Sequence, residues 1–346
     1  MIVNIVDNIA AIRYSYLVRG NFMYNVEELK KKVLNGELIG KEEALFLAEE
    51  APLNELTEAA NEIRKHFCKN KFDICTIING KSGKCSENCK FCAQSSFYNT
   101  KINEYSLLDS KSIVKEAKYN DERGVLRFSI VTSGRKLSDK EVDSVCKSIR
   151  EIGKNTSVSI CGSFGLLSEE QYKKLKEAGL TRVHNNLETS KRNFKNVCTT
   201  HTFEEKIQAI KNAKNAGLNV CSGGIMGLGE TMEDRIDMVL ELRELGVLSI
   251  PVNMLNPIKG TPFENNKLLT NDEMCRIVAV FRFLIPNAAI RLAGGRGLLE
   301  DKGEKCFLSG ANAAISGDML TTSGITIKED MELLEKIGYK PELLNE

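Results

Sequence analysis

Through most of the chain, short runs of β-branched and other apolar residues alternate with longer stretches whose apolar positions recur at helical spacing among charged ones. The short runs predict strands over residues 72–79, 125–131, 157–161, 182–187, 219–225, 248–254, 288–292 and 313–318. The longer stretches predict helices over 112–121, 139–152, 169–178, 203–216, 233–245 and 272–284. Gly124, Gly153, Gly179, Gly217 and Gly246 stand where a left-handed residue would close the last helical turn. Eight strands with crossover helices between them describe an α/β protein, a (β/α)8 TIM-type barrel.

Residues 26–68 read as helices with acidic starts and carry no motif of their own. They are expected to form an N-terminal helical cap within residues 1–70, packed on a barrel spanning 71–322. Residues 323–346 form a C-terminal helical extension whose amphipathic helix covers 328–337. No repeat appears beyond the strand–helix period, so the pattern describes one catalytic domain with extensions.

The 48 basic and 47 acidic side chains are intermixed and leave a net charge of +1, which gives no footprint for nucleic acid or an anionic membrane. No run reaches the length of a membrane span, and residues 1–12 carry Asp7 and lack the basic start of a secretory leader. A small-molecule partner is expected. Eleven cysteines, an odd number, suit a reducing, cytoplasmic setting.

Cys85, Cys89 and Cys92 are spaced C-x-x-x-C-x-x-C, with Phe91 just before the last. Three thiolates from one short loop can hold three corners of a cubane iron–sulfur cluster and leave the fourth iron open to a substrate. A structural zinc loop instead closes its shell with a fourth ligand, usually in two close pairs. His66 lies far upstream and Cys75 sits in an apolar run, so no fourth ligand is expected nearby. The loop follows the first predicted barrel strand, on the face where barrel active sites lie.

Cys75, Cys161, Cys221 and Arg291 fall on predicted strands 1, 3, 5 and 7, where inward-facing residues can meet near the barrel axis as a second metal site. Each cysteine alone also suits a small buried hydrophobe. A guanidinium inside a barrel needs an anionic partner to offset its desolvation, and a sulfide-rich cluster is one.

The three-cysteine loop with its aromatic resembles the radical S-adenosylmethionine (SAM) superfamily. By that resemblance Cys85, Cys89 and Cys92 hold a [4Fe–4S] cluster whose open iron chelates SAM, an electron from the cluster cleaves SAM to a 5′-deoxyadenosyl radical, and Phe91 lies near the adenine. Further motifs narrow the resemblance: Asn185-Asn186-Leu187-Glu188-Thr189-Ser190, Cys221-Ser222-Gly223-Gly224-Ile225, Val252-Asn253-Met254-Leu255, Arg291-Leu292 with Gly295-Arg296, and Gly310-Ala311-Asn312. In this order, from about Asp73 to Thr322, they resemble the biotin synthase family.

That family resemblance implies sulfur insertion into dethiobiotin to give biotin, with the sulfur donated by an auxiliary iron–sulfur cluster in the barrel. Cys161 and Cys221 match auxiliary-cluster cysteines and Arg291 an unusual arginine ligand, the three acting at the catalytic centre. Asn186 and Glu188 match residues that hold the SAM ribose, and Asn186 and Asn253 suit the ureido ring of dethiobiotin. Ser222, Gly223 and Gly224 let backbone approach SAM closely. Lys206 stands where better-known members place an arginine against the methionyl carboxylate. The resemblance also implies a reducing partner such as flavodoxin or ferredoxin, and a homodimer.

One position departs from the family pattern. Ser129 stands where better-known members place a third auxiliary cysteine, and a hydroxyl is a poor ligand for a soft metal. Cys75 on the adjacent strand is the candidate replacement, and the cluster is either [2Fe–2S], as in the family, or a four-iron variant. Cys68, Cys146, Cys198, Cys275 and Cys306, with His184 and His201, are expected to be structural. A hydrogenase-cofactor maturase or a methylornithine synthase would share the barrel and loop, and Cys161, Cys221, Arg291 and the Gly-Ala-Asn segment distinguish this chain from them. In a different class, a zinc-binding or redox regulator on a barrel scaffold would be colourless or lack SAM cleavage.

Overall fold

The computed structural model describes residues 17–19 and 22–345. Of the cap expected over 1–70, residues 1–16 and 20–21 lie outside the described residues, and with them the whole segment 1–12. β1 (Leu17–Arg19) and β2 (Phe22–Tyr24) pair antiparallel, and α1 (Val26–Leu34), α2 (Lys41–Glu49) and α3 (Leu53–Cys68) follow.

The barrel strands are β3 (Lys71–Lys81), β4 (Arg127–Thr132), β5 (Ser159–Ser163), β6 (Arg182–His184), β7 (Asn219–Cys221) continued by β8 (Gly224–Met226), β9 (Ser249–Met254), β10 (Ala289–Leu292) and β11 (Ala313–Ser316). All neighbours pair parallel, and β11 pairs β3, so eight strand positions close into a barrel. The expected fifth strand is broken at Ser222-Gly223, which belong to neither half.

Helices α4 (Ser110–Asp121), α5 (Asp139–Asn155), α6 (Glu169–Ala178), α7 (Phe194–Val197), α8 (Phe203–Asn215), α9 (Met232–Glu244), α10 (Asn271–Leu284) and α11 (Glu304–Leu308) wrap the sheet. Hydroxyl caps set their starts. Ser138, Ser168, Thr202, Thr231 and Thr270 each cap a helix with the hydroxyl and donate their own backbone N–H to the side-chain oxygen of the acidic or amide residue three positions on. At the other ends Gly124, Gly179, Gly217 and Gly246 adopt positive φ as expected. Gly153 does not: it lies inside α5, which continues to Asn155 and is ended by the extended Thr156.

The main core lies between sheet and helices, and α3 packs on α10 from outside. After β11, α12 (Ile327–Lys336) packs back into this core through Leu334, and the buried Arg296–Asp330 ion pair (2.6 Å) ties it to the segment after β10. β12 (Lys340–Pro341) then runs alongside the start of β3. It delivers Leu344 to the lower end of the lumen, against Ala289 and Ala313. There Arg127 and Arg182 each donate to Leu344 O (3.1 Å), and Asp73 accepts from Leu344 N (3.1 Å), so the floor is sealed by backbone as well as side chains.

Candidate active site

At the upper end of β3 the chain enters the three-cysteine loop, which is fixed by its own backbone. Cys85 N donates to Gln94 O (3.0 Å), Ser96 N returns to Cys85 O (2.9 Å), and Cys92 N turns back to Cys89 O (3.0 Å). Ser82 and Tyr105 close the loop's base as an antiparallel bridge. Three thiols are thereby presented from eight consecutive positions with little freedom left to lose on binding a cluster. Without one, burial pushes the Cys92 thiol up to about 11.

Cys198 and His201, expected to be structural, lie beside the loop: with Cys89 they bring ligand atoms within 4.8 Å of one another. His201 Nδ1 lies 2.6 Å from Glu87 Oε2 and 3.3 Å from Cys198 Sγ. Burial works against ionisation of Glu87, but hydrogen bonds from His201 and Thr200 outweigh it and hold the carboxyl below its usual range. More than a hundred residues separate these groups from the loop, so no spacing rule could reveal them.

Asn186 and Glu188 line the cavity, and both are bonded to the break in strand five. Asn186 accepts from Gly223 N (3.1 Å) and donates to Glu188 Oε2 (3.3 Å). Glu188 has φ +71°, a left-handed conformation costly for a side-chain residue, and is clamped there by Gly223 O and Ile225 N. Burial pushes its carboxyl up, against the opposing pull of Lys206. Lys206 is half-buried, does not line the cavity itself, and donates to Asn185 Oδ1 (3.3 Å). A Cβ on Gly223 would overlap the Pro251 carbonyl, and one on Gly224 the Glu188 carbonyl, so only glycine fits either position. Ser222 is fully buried, with its hydroxyl unpartnered among the described residues. Phe91 packs beside Leu228 and Leu255 at the rim.

Below the mouth the lumen departs from the apolar filling of an ordinary barrel. Cys75, Ser129, Cys161, His184, Cys221 and Arg291 line one cavity of about 340 Å³ that also reaches Phe91, Cys92, Asn186, Glu188 and Asn253. The alternation of the strands explains the grouping: Cys161 is level with Ser129 and Arg182, and Cys221 with His184 and Ser249. His184, expected to be structural, is thus a lumen residue. Burial opposes ionisation of the Cys221 thiol, but the nearby His184, Arg291 and Arg182 outweigh it and bring it down to about 6; Ser249 Oγ donates to the same sulfur (3.2 Å). Burial pushes Cys75 and Cys161 the other way.

Beneath the thiols, Asp73 pairs with Arg127 (2.9 Å) and Arg291 (2.9 Å), and Arg182 lies 3.9 Å away. Three guanidiniums face one carboxylate, and Arg182 Nε has no hydrogen-bond partner among the described residues. Such an excess of buried positive charge is costly unless an anion joins it. An iron–sulfur cluster held by the neighbouring thiolates is such an anion, so the donor set and the local charge both fit one. Asn253 is held by Gly224 O (3.1 Å) and Gly294 N (2.9 Å), which orients its amide and leaves one N–H and one lone pair for a ligand. Cys68, Cys146, Cys275 and Cys306 are buried outside the lumen, the last two with sulfurs 3.7 Å apart.

A parallel barrel with a three-thiol loop on its active-site face defines the radical SAM class, and residues 80–242 match the Radical SAM superfamily. Residues 251–340 match the Biotin and Thiamin Synthesis associated domain. The chain belongs to the biotin synthase family. It is 62% identical over 319 residues, 92% of this chain and 96% of the relative, to the biotin synthase of Brachyspira hyodysenteriae. It is 57% identical to that of Clostridium botulinum strain Loch Maree, over 92% of this chain and all of the relative. Among solved structures, methylornithine synthase superposes with a TM-score of 0.79 at 21% identity, over 91% of this chain and 97% of that one. The FeFe-hydrogenase maturase of Carboxydothermus hydrogenoformans superposes with a TM-score of 0.78 at 18% identity, over 99% and 82%. At such identities the likeness is one of fold.

Proposed function

We infer that this chain converts dethiobiotin to biotin. The observation that carries the reading is the single cavity joining the three-thiol loop to the thiols of the lumen, which sets a radical source above a sulfur source with room for a small substrate between. When bound, a [4Fe–4S] cluster with SAM supplies the 5′-deoxyadenosyl radical, and an auxiliary cluster supplies the sulfur.

Cys85, Cys89 and Cys92 hold the first cluster. Glu188 receives the ribose diol, Lys206 faces the methionyl carboxylate, the backbone of Ser222, Gly223 and Gly224 lies along SAM, and Phe91 lies against the adenine. Asn186 and Asn253 grip the ureido ring from opposite sides of the mouth. Cys161, Cys221 and Arg291 surround the auxiliary cluster, and Cys75 supplies the thiolate that Ser129 cannot. Ile77, Val131 and Ile315 line the cavity and keep water from a carbon radical formed there. Positioning is the protein's main contribution, since hydrogen abstraction from an unactivated carbon needs near-contact geometry. The chain is read as a cytoplasmic homodimer with a 1–70 cap, a 71–322 barrel and a 323–346 extension, reduced by a flavodoxin- or ferredoxin-like partner.

The test is anaerobic incubation with SAM, dithionite and dethiobiotin. Formation of 5′-deoxyadenosine together with biotin is expected, and deoxyadenosine without biotin would overturn the substrate. Iron and sulfide counts on Cys75→Ala test the ligand assignment, because full retention of the second cluster removes Cys75 from it.

A further inference from the structure

The three-cysteine loop has a neighbour for which the reaction described above has no use. Cys198, at the end of α7, and His201 form a Cys-x-x-His turn, and both side chains are buried. Asn88 locks that turn against the loop. Its Oδ1 accepts from Thr199 N (2.9 Å) and Thr200 N (3.2 Å), its Nδ2 donates to Thr199 Oγ1 (2.7 Å), and its own N–H donates to Thr200 Oγ1 (3.1 Å). Lys90 N adds a bond to Val197 O (3.0 Å). Cys89 stands between these two anchored residues, so its thiol is held beside Cys198 and His201, the three ligand atoms lying within 4.8 Å of one another.

Two sulfurs and an imidazole nitrogen are a soft donor set, suited to zinc or ferrous iron and not to calcium or magnesium. Tetrahedral bonds of about 2.0–2.3 Å place such atoms roughly 3.5–3.8 Å apart, so closing the shell draws the farthest pair in by about 1 Å. Cys198 Sγ already lies 3.3 Å from His201 Nδ1. A fourth donor is at hand: Glu87 Oε2 lies 2.6 Å from the same nitrogen and is steadied by Thr200 Oγ1 (2.8 Å) and Arg135 (3.2 Å). The charges close as well. Two thiolates and one carboxylate around a divalent cation leave a single negative charge, which the Arg135 guanidinium offsets.

We propose that in the cluster-free chain Cys89, Cys198, His201 and Glu87 form a mononuclear site for a thiophilic divalent cation, ferrous iron or zinc, filled in alternation with the [4Fe–4S] cluster. On binding, Cys89 and Cys198 release their protons to solvent, and His201 binds through Nδ1 with its remaining proton on Nε2. Cys89 is common to both shells, so only one of them is filled at a time. The inference goes beyond the reading of the reaction, because it concerns the chain before its loop cluster is built.

The experiment titrates the full chain, stripped of clusters under anaerobic reducing conditions, with cobalt(II) and reads the thiolate-to-cobalt charge-transfer and tetrahedral ligand-field bands. Cys198→Ala is expected to bind one equivalent fewer than the unmodified chain. His201→Gln is expected to bind that equivalent at least about tenfold more weakly, the least that a lost supporting contact costs a metal site. Zinc is expected to displace the cobalt, and ferrous iron to do so in excess. Cys85→Ala, which disables the three-cysteine loop as a cobalt site, and Cys161→Ala, which disables the lumen thiols, are both expected to keep the equivalent. Assembly of the loop cluster is expected to expel it, while Cys198→Ala still assembles that cluster with unchanged iron and sulfide counts. A titration unchanged in Cys198→Ala or His201→Gln, loss of the equivalent in Cys85→Ala, or cobalt retained beside the loop cluster overturns the proposal. None of these measurements involves dethiobiotin, so the assignment of the reaction stands or falls separately.

Discussion

The two thiol groups of this molecule are built on opposite plans. At the mouth, three cysteines come from eight consecutive residues of one loop, held by its own backbone and by one distant segment through Lys90 N to Val197 O (3.0 Å) and His201 Nδ1 beside Glu87 Oε2 (2.6 Å). In the lumen, Cys75, Cys161, Cys221 and Arg291 come from four separate strands, and their approach depends on the register of the whole barrel. The first site takes all three of its thiols from one stretch of chain. The second exists only while the barrel is closed and its floor of buried charge is intact.

The sharpest way to break that comparison is to remove one thiol from each site. Cys85→Ala is expected to abolish 5′-deoxyadenosine formation, measured chromatographically, while the second cluster's iron and visible absorbance persist. Cys161→Ala is expected to do the reverse, sparing SAM cleavage and abolishing biotin formation. If Cys161→Ala also stops SAM cleavage, the two sites are not separable.

Next in size is the floor. Asp73→Asn strands Arg127 and Arg291 without their carboxylate, and unfolding of the cluster-free chain in urea is expected to be about 3–5 kcal/mol easier. The acid dependence follows the same group. Burial alone would raise the Asp73 carboxyl, but Arg291 and Arg127 outweigh it and hold it below the ordinary value. A depressed folded value means that its stabilisation is fully present above about pH 4, the unfolded carboxylate range, and is lost as the pH falls through the folded value. Urea midpoints measured from pH 7 to 3 should therefore converge for Asp73→Asn and the unmodified chain only at the acid end.

Smaller effects sharpen the account of the mouth. Gly223→Ala pushes a methyl group into the Pro251 carbonyl, at a cost of about 1–3 kcal/mol in stability, and is expected to raise KM for SAM. Lys206→Ala should raise KM for SAM by about tenfold with little change in kcat, which corresponds to the ~1.4 kcal/mol of one charged contact. Lys206→Arg should restore most of it.

The contrast between the sites also explains what the sequence discloses. Strand–helix alternation from 72 onward placed all eight barrel strands within a few residues, because branched apolar runs and capped amphipathic stretches have distinct periods. Where it erred, a single residue was overruled by its surroundings. Gly153 continues a helix that the chain around it favours, and strand five breaks at Ser222-Gly223 where glycine lets two backbones meet. The loop cysteines were legible from spacing alone. Ser129 was legible only through the family resemblance and Cys75 only through strand phase, and both line one cavity. Cys198, His201 and His184 were missed because their significance lies in neighbours remote along the chain. For His184 a signal did exist: it stands two residues after Arg182 on β6, and strand alternation turns both into the cavity.

The seal made by Leu344 and Asp73 turns the barrel from a tube into a well. Iron and sulfide destined for the lower thiols must descend through the same opening that SAM and its partner molecule occupy during a reaction. Restocking the sulfur and spending it therefore compete for one doorway, and a molecule that has just given up its sulfur has to empty before it can be refilled.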